Sequence, residues 1–183
     1  MSNNCPRAEL ARITEKYSID HNDVKNIKIC VNRPRVGVGV ILVSDLHPNA
    51  VLIGERKNSH GDGKYALPGG HLEYDESWFE CAKKEIAEEC GIMLDKDSNR
   101  HSVIHVTNDI MLDDQRHYIT IFMAVKINNE QTVSIINGEP NKCKEWEWLP
   151  IDSIHSKSLF IPLQNFIQEN GFRLLINFIQ SCN

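Results

Sequence analysis

At 183 residues, with 41% hydrophobic and 25% charged side chains, the chain suffices for one domain with a sizeable core, and no apolar run is long enough to span a bilayer. The net charge of -5 is concentrated between Gly69 and Ile92, where seven acids (Glu73, Asp75, Glu76, Glu80, Glu85, Glu88 and Glu89) face only Lys83 and Lys84. Such local acidity excludes a basic groove tracking polymeric DNA or RNA, and it suits a cation site.

Residues 1–32 form a polar extension with a weak helical period at Leu10, Ile13 and Tyr17 and no apolar leader-like stretch. The six cysteines, at 5, 30, 81, 90, 143 and 182, show no CxxC pair, and Cys81 and Cys90 fall too far apart on one predicted helix to join. Reduced thiols and placement in the cytoplasm or nucleus are the expectation. The main domain is expected over residues 33–183.

From Arg35, "RVGVGVILV" alternates Val36, Val38, Val40 and Leu42 with Gly37, Gly39, Ile41 and Val43, the period of a strand with one crowded face and one that allows close approach. "SDLHPN" predicts a turn and "AVLIGER" the returning strand. After a glycine-bearing loop comes an acidic helix, in which Trp78, Ala82, Ile86 and Cys90 recur at four-residue steps beside Phe79 and point to a core stripe ended by Gly91. Further strands are predicted at "SVIHVTN", "HYITIFMAVKI" and "EWEWLP", with a long polar connection from Asn128 to Lys144. Leu159, Leu163, Phe166 and Ile167 carry a helical period. This order of elements predicts a mixed sheet with helices on its faces, an α/β class fold.

Glu85, Glu88 and Glu89 stand at i, i+3 and i+4, so their carboxylates cluster next to the core stripe. Like charges so spaced cost an isolated helix about 0.2–0.5 kcal/mol per pair, and a divalent cation reverses the sign of that cost. Carboxylate oxygens favour Mg²⁺ or Mn²⁺, which shares its remaining positions between water and substrate phosphate. Gly69 and Gly70 let the backbone come close to the same place. Phosphoanhydride chemistry is the natural use of such a set. The plain alternative is a solvated acidic face offset by Lys83 and Lys84.

Written in full, the stretch runs Gly70, five residues, Glu76, seven residues, Lys84-Glu85-Ile86, one residue, Glu88-Glu89, one residue, Gly91-Ile92. This resembles the Nudix box of the Nudix hydrolase superfamily, in which an Arg usually stands where this chain has Lys84. The resemblance implies an α/β/α sandwich and a loop-helix-loop that binds Mg²⁺ (or Mn²⁺) through Glu85, Glu89 and Glu88 with a backbone carbonyl of Gly69 or Gly70. It also implies hydrolysis of a nucleoside diphosphate linked to another group. The same resemblance pairs residue 84 with Glu76. Lys84 keeps the charge and loses the planar fork of Arg, and Glu80 and Glu88 are expected to compete for it.

Outside the box, "RPRVGVGVILV", "HYITIFM" and "EPNKCKEWEWLP" are similar to the MutT-type members that convert oxidised or thiopurine nucleoside triphosphates to monophosphate and pyrophosphate, and to their plant cytosolic relatives. That likeness covers about residues 33 to 163. It implies that Arg56 approaches the phosphates, that His71 lies beside the metal loop, and that Tyr118, Trp148 and Leu149 line the substrate pocket. Glu139 is implied as a further metal ligand or general base, a role left open among Glu85, Glu88, Glu89 and Glu139. The plain readings are a surface ion pair for Arg56, an ordinary strand residue for Tyr118, and core filling for Trp146 or Trp148. Relatives carry an aromatic residue where this chain has Ile161. A homodimer is expected from the resemblance alone. Two other readings stand beside the triphosphate one: hydrolysis of another diphosphate, such as an isoprenyl diphosphate, and a weakly catalytic binding module.

Overall fold

The computed structural model describes residues 33–112 and 114–182. The expectations for residues 1–32, including Cys5 and Cys30, lie outside the described residues. Four strands form a mixed sheet in the order β4-β1-β6-β5, with β1 at Arg35–Ser44, β4 at Gly69–His71, β5 at His101–Met111 and β6 at Arg116–Ile127. A separate antiparallel sheet has the order β3-β2-β7, with β2 at Ala50–Arg56, β3 at Tyr65–Ala66 and β7 at Cys143–Pro150. The single sheet predicted from element order is thus two sheets.

Alternation in β1 divides the interior. Val38, Val40 and Leu42 join a core with helix α1, Trp78–Cys90, while Ile41 and Val43 join a second core under helices α3, Ile161–Gln168, and α4, Gly171–Ser181. The described domain is therefore the expected α/β/α sandwich. β1 runs parallel to β6, from Arg35 opposite Tyr118 to Ser44 opposite Ile127, which sets Gly37 against Thr120 and Gly39 against Phe122. The two glycines leave room on the sheet face that becomes the floor of a cavity.

Helix α1 starts with a reciprocal cap: the Ser77 hydroxyl accepts from the Glu80 N–H, and the Glu80 carboxylate accepts from the Ser77 N–H. Its buried face is Phe79, Cys81, Ala82, Ile86 and Cys90. Trp78, predicted in that stripe, is 46% exposed. It is the first helical residue, and helical side chains lean toward the N-terminus, so its ring projects off the end of the helix. Gly91 ends α1 in the left-handed region at φ 70°, and its N–H donates to the Ala87 carbonyl. A Cβ there would stand 2.6 Å from Ile136. Gly91→Ala is expected to lower stability by about 1–3 kcal/mol, read as the midpoint of chemical unfolding.

The predicted polar connection contains one short helix, α2, Asn129–Val133, opened by a second reciprocal cap between Asn128 and Gln131. Leu159 lies ahead of α3 and bridges to Tyr65, so the helical period begins two residues later than predicted. Cys81, Cys90, Cys143 and Cys182 are free thiols. No helix among the described residues is long and apolar enough to cross a membrane.

Candidate functional site

A cavity of about 450 Å³ opens where the C-terminal half of α1 meets β4 and the glycine end of β1. Its polar wall carries Glu85, Glu88 and Glu89 against Gly69 and Gly70. Glu89 Oε2 accepts the Gly69 N–H at 2.9 Å. Gly69 reaches this position at φ 146°, and a Cβ there would run into the Val38 carbonyl. A Cβ on Gly70 would occupy the place of the Glu85 carboxylate. Both glycines are required by close approach.

Burial dominates the electrostatics of this wall. It pushes the Glu89 carboxyl up to about 8, with Glu85 and Glu139 adding to the effect and the Gly69 N–H opposing it. Burial also raises Glu85, opposed by Lys84. Glu88 is exposed. Among the described residues no three acidic, histidine or cysteine groups are already drawn together around one point. The donor chemistry nevertheless fits Mg²⁺ or Mn²⁺. Glu85 and Glu89 are one helical turn apart on one wall, they are hard oxygen donors whose burial disfavours their charge, and the cradle beside them is one that any side chain at residue 70 would fill.

Lys84 does not turn to Glu80 or Glu88. Its Nζ lies 3.1 Å from Glu76 Oε1 and 3.6 Å from Glu85 Oε1. Glu80 is occupied by the helix cap, and Glu88 faces solvent. Burial acts to raise the Glu76 carboxyl, but the Glu73 N–H and Lys84 together hold it below the usual range. One ammonium is thus shared between Glu76 and Glu85 on the cavity wall. An Arg would grip Glu76 with its planar fork and release Glu85. Lys84→Arg is expected to raise turnover roughly threefold, about 0.7 kcal/mol, the scale of a part-exposed ion pair. Equal or lower kcat in the variant would remove the idea.

The remaining predicted residues separate into those at the cavity and those away from it. Arg56 lines it, with Nε donating to the His60 carbonyl at 2.7 Å and the guanidinium 4.5 Å above the Phe160 ring. His71 and Tyr118 also line it, joined by a 3.2 Å contact between Nε2 and the phenol oxygen. Burial, then nearby Arg35, lowers the His71 pKa. Glu139 is outside the lining and pairs with Lys142 at 2.7 Å.

Trp148 and Leu149 do not line the cavity. In β7 Trp148 stacks on His47, with ring centroids 4.8 Å apart, and Leu149 points into the second core. The lining residue is Trp146, two positions earlier on the face it shares with Trp148 and opposite Gly54, and its Nε1 donates to the Glu89 carbonyl at 3.0 Å. Ile161 is also outside the lining, whereas its neighbour Phe160 is part of it.

Residues that sequence reasoning passed over complete the walls. Arg116 and Lys142 add positive charge, Met111, Phe122 and Leu163 add apolar surface, and Thr120 is a further lining residue. The signal for Thr120 and Phe122 was the glycine face of β1, which the parallel register brings directly beside them.

The NUDIX domain family model matches residues 33–169. The chain is 28% identical over 115 residues to the oxidized purine nucleoside triphosphate hydrolase of Mus musculus, covering 62% of this chain and 66% of that one. It is 30% identical over 112 residues to the ADP-ribose pyrophosphatase of Methanocaldococcus jannaschii, covering 61% and 62%. It thus spans slightly under two thirds of the length of both relatives. A crystal structure of a MutT NUDIX hydrolase from Burkholderia pseudomallei is similar at TM-score 0.55 and 25% identity, covering 66% of this chain and 85% of that one.

Proposed function

Because the chain belongs to the NUDIX domain family, we propose that it hydrolyses a phosphoanhydride of a nucleoside triphosphate, releasing the nucleoside monophosphate and pyrophosphate. One observation carries the reading: a single cavity joins an acid-and-glycine wall and the cations Arg56, Arg116 and Lys142 to apolar surface from Met111, Phe122 and Leu163. A charged chain of phosphates attached to a flat ring matches both halves. The similarity to the mouse enzyme named for oxidised purine nucleotides supports the same reading.

Glu85, Glu89 and the exposed Glu88 would hold Mg²⁺ or Mn²⁺, with a backbone carbonyl of Gly69 or Gly70. When bound, such an ion supplies charge neutralisation on the phosphates and a water of lowered pKa. The chain's own residues do the rest. Arg56, Arg116 and Lys142 attract and align phosphate oxygens. Arg56 is held ready by the His60 carbonyl and the Phe160 ring, so little order is lost on binding. The Gly69 N–H fixes one oxygen of Glu89, which leaves the other directed by the helix. Trp146 ties the end of α1 to β7 through the Glu89 carbonyl, so the carboxylate wall and β7 keep one spacing.

The archaeal relative named for ADP-ribose supports a second reading, cleavage of another diphosphate against the same two walls. A weakly catalytic binding module is the third. Purified protein incubated with Mg²⁺ and nucleoside triphosphates, ADP-ribose and geranyl diphosphate, with products separated by ion exchange, tests all three. Monophosphate and pyrophosphate from a triphosphate are expected. Turnover restricted to ADP-ribose or the isoprenyl compound would replace the first reading with the second, and no turnover of any compound would leave the third.

A further inference from the structure

Among the described residues Asp109 is the one acidic or basic side chain that is buried, at 0% exposure. It stands on β5, on the sheet face opposite the one packed by the carboxylate helix, and makes no ion pair among the described residues. A carboxylate without a cation in such a place is costly unless neutral donors surround it. Three do. Oδ2 accepts from the Thr120 hydroxyl at 2.5 Å and from the Thr107 hydroxyl at 2.9 Å, and Oδ1 accepts from the Asn165 amide at 2.8 Å. Three donors converging on two oxygens is the arrangement of an acceptor-only carboxylate.

Of these donors only Thr120 also lines the cavity. A threonine hydroxyl normally chooses between donating and accepting. Here its one hydrogen is directed at Asp109, so a ligand group that reaches this oxygen meets lone pairs alone. Met111, Phe122 and Leu163 add apolar surface to the same cavity, and Tyr118 stands two residues from Thr120 on the same face of β6. A ligand amino group meeting Thr120 gains a hydrogen bond, while a ligand carbonyl there meets another acceptor.

On the reading that a nucleotide places its ring in this end of the cavity, we infer that Asp109 is a positioning residue that fixes the Thr120 hydroxyl as an acceptor and thereby selects purines bearing an exocyclic amino group. In Asp109→Asn the amide oxygen stays with Asn165 and the amide hydrogens face Thr107 and Thr120. The Thr120 hydrogen is then released into the cavity, and the preference loses its cause.

The test compares two substrate pairs, each differing by one amino group: GTP with ITP, and ATP with purine riboside triphosphate. Steady-state kinetics with Mg²⁺ are measured for the wild type, Asp109→Asn, Thr120→Val and Thr120→Ser, with melting curves for each. In the wild type at least one pair is expected to favour the amino-bearing member by about tenfold or more in kcat/KM, carried in KM. Asp109→Asn abolishes or reverses that preference, Thr120→Val flattens it, and Thr120→Ser restores it. If Asp109→Asn does not fold, the Val and Ser pair alone decides. Triphosphate turnover with no amino preference in the wild type, or with the same preference in every folded variant, overturns the inference while leaving the proposed hydrolysis intact. A wild type that turns over no triphosphate overturns that proposal, and this inference with it.

Discussion

Glu89→Gln is expected to remove turnover, by on the order of a thousandfold, while making the metal-free protein more stable above neutral pH. The first effect follows from the loss of one charge in a preorganised electrostatic site. The second follows from burial, which raises the Glu89 carboxyl from an ordinary 4.5 to about 8. A folded-state pKa above the unfolded one means that the folded protein holds the extra proton. That contribution to stability is complete below about pH 4.5 and is lost as pH rises through about 8. By pH 7 the loss is about 3 kcal/mol. Gln carries no charge and keeps an acceptor for the Gly69 N–H. Melting curves without metal should therefore coincide near pH 4.5 and separate as pH rises, with the variant the more stable. Saturating Mg²⁺ should raise the wild type's melting temperature at pH 8 and leave the variant's almost unchanged. A variant less stable than the wild type at pH 8 without metal would contradict the electrostatic description of this wall.

Gly69→Ala should be the most damaging single methyl group in the cavity. At φ 146° the residue is strained with any side chain, and the added Cβ meets the Val38 carbonyl and, at 3.1 Å, the Gly39 Cα. Gly69 is paired with Gly39 in the β1–β4 ladder, so the strand itself has to move. That movement withdraws the N–H that holds Glu89. A loss of about 3 kcal/mol in stability and at least about a hundredfold in kcat is expected, measured by chemical unfolding and by initial rates. Adding Gly69→Ala to Glu89→Gln should lower kcat little further, because both changes disable the same carboxylate. Full multiplication of the two effects would show that Gly69 acts elsewhere.

Much of the carboxylate wall was legible because it is local. Three glutamates at fixed helical spacing, a glycine pair before them and a glycine stop after them are properties of one short segment, and helical geometry alone places Glu85 and Glu89 on one side. The two faces of β1 were legible for the same reason. The opposite wall depends on pairings between distant segments. Period-two alternation puts Trp146 and Trp148 on one face of β7 but does not say which end of that face meets the cavity, and Gly54 opposite Trp146 decides it. Thr107, Asp109 and Thr120 meet only because β5 and β6 pair in one particular register. Arg116 and Lys142 reach the cavity from loops and strand ends whose direction has no sequence period. Trp78 was misplaced for a different reason: a periodic stripe does not record that its first member lies beyond the last contact of the helix with the sheet.

The central claim is that one cavity holds both the divalent cation and the nucleotide. Diffraction from crystals grown with Mn²⁺ and a non-hydrolysable nucleoside triphosphate, with the anomalous signal of manganese recorded, tests it most directly. Anomalous peaks within ligand distance of Glu85 and Glu89, with the phosphates near Arg56 and the base beside Phe122 in the wall that carries Thr120, are the expected result. Manganese bound away from both glutamates, or a base lying outside the wall formed by Met111, Thr120 and Phe122, would contradict it.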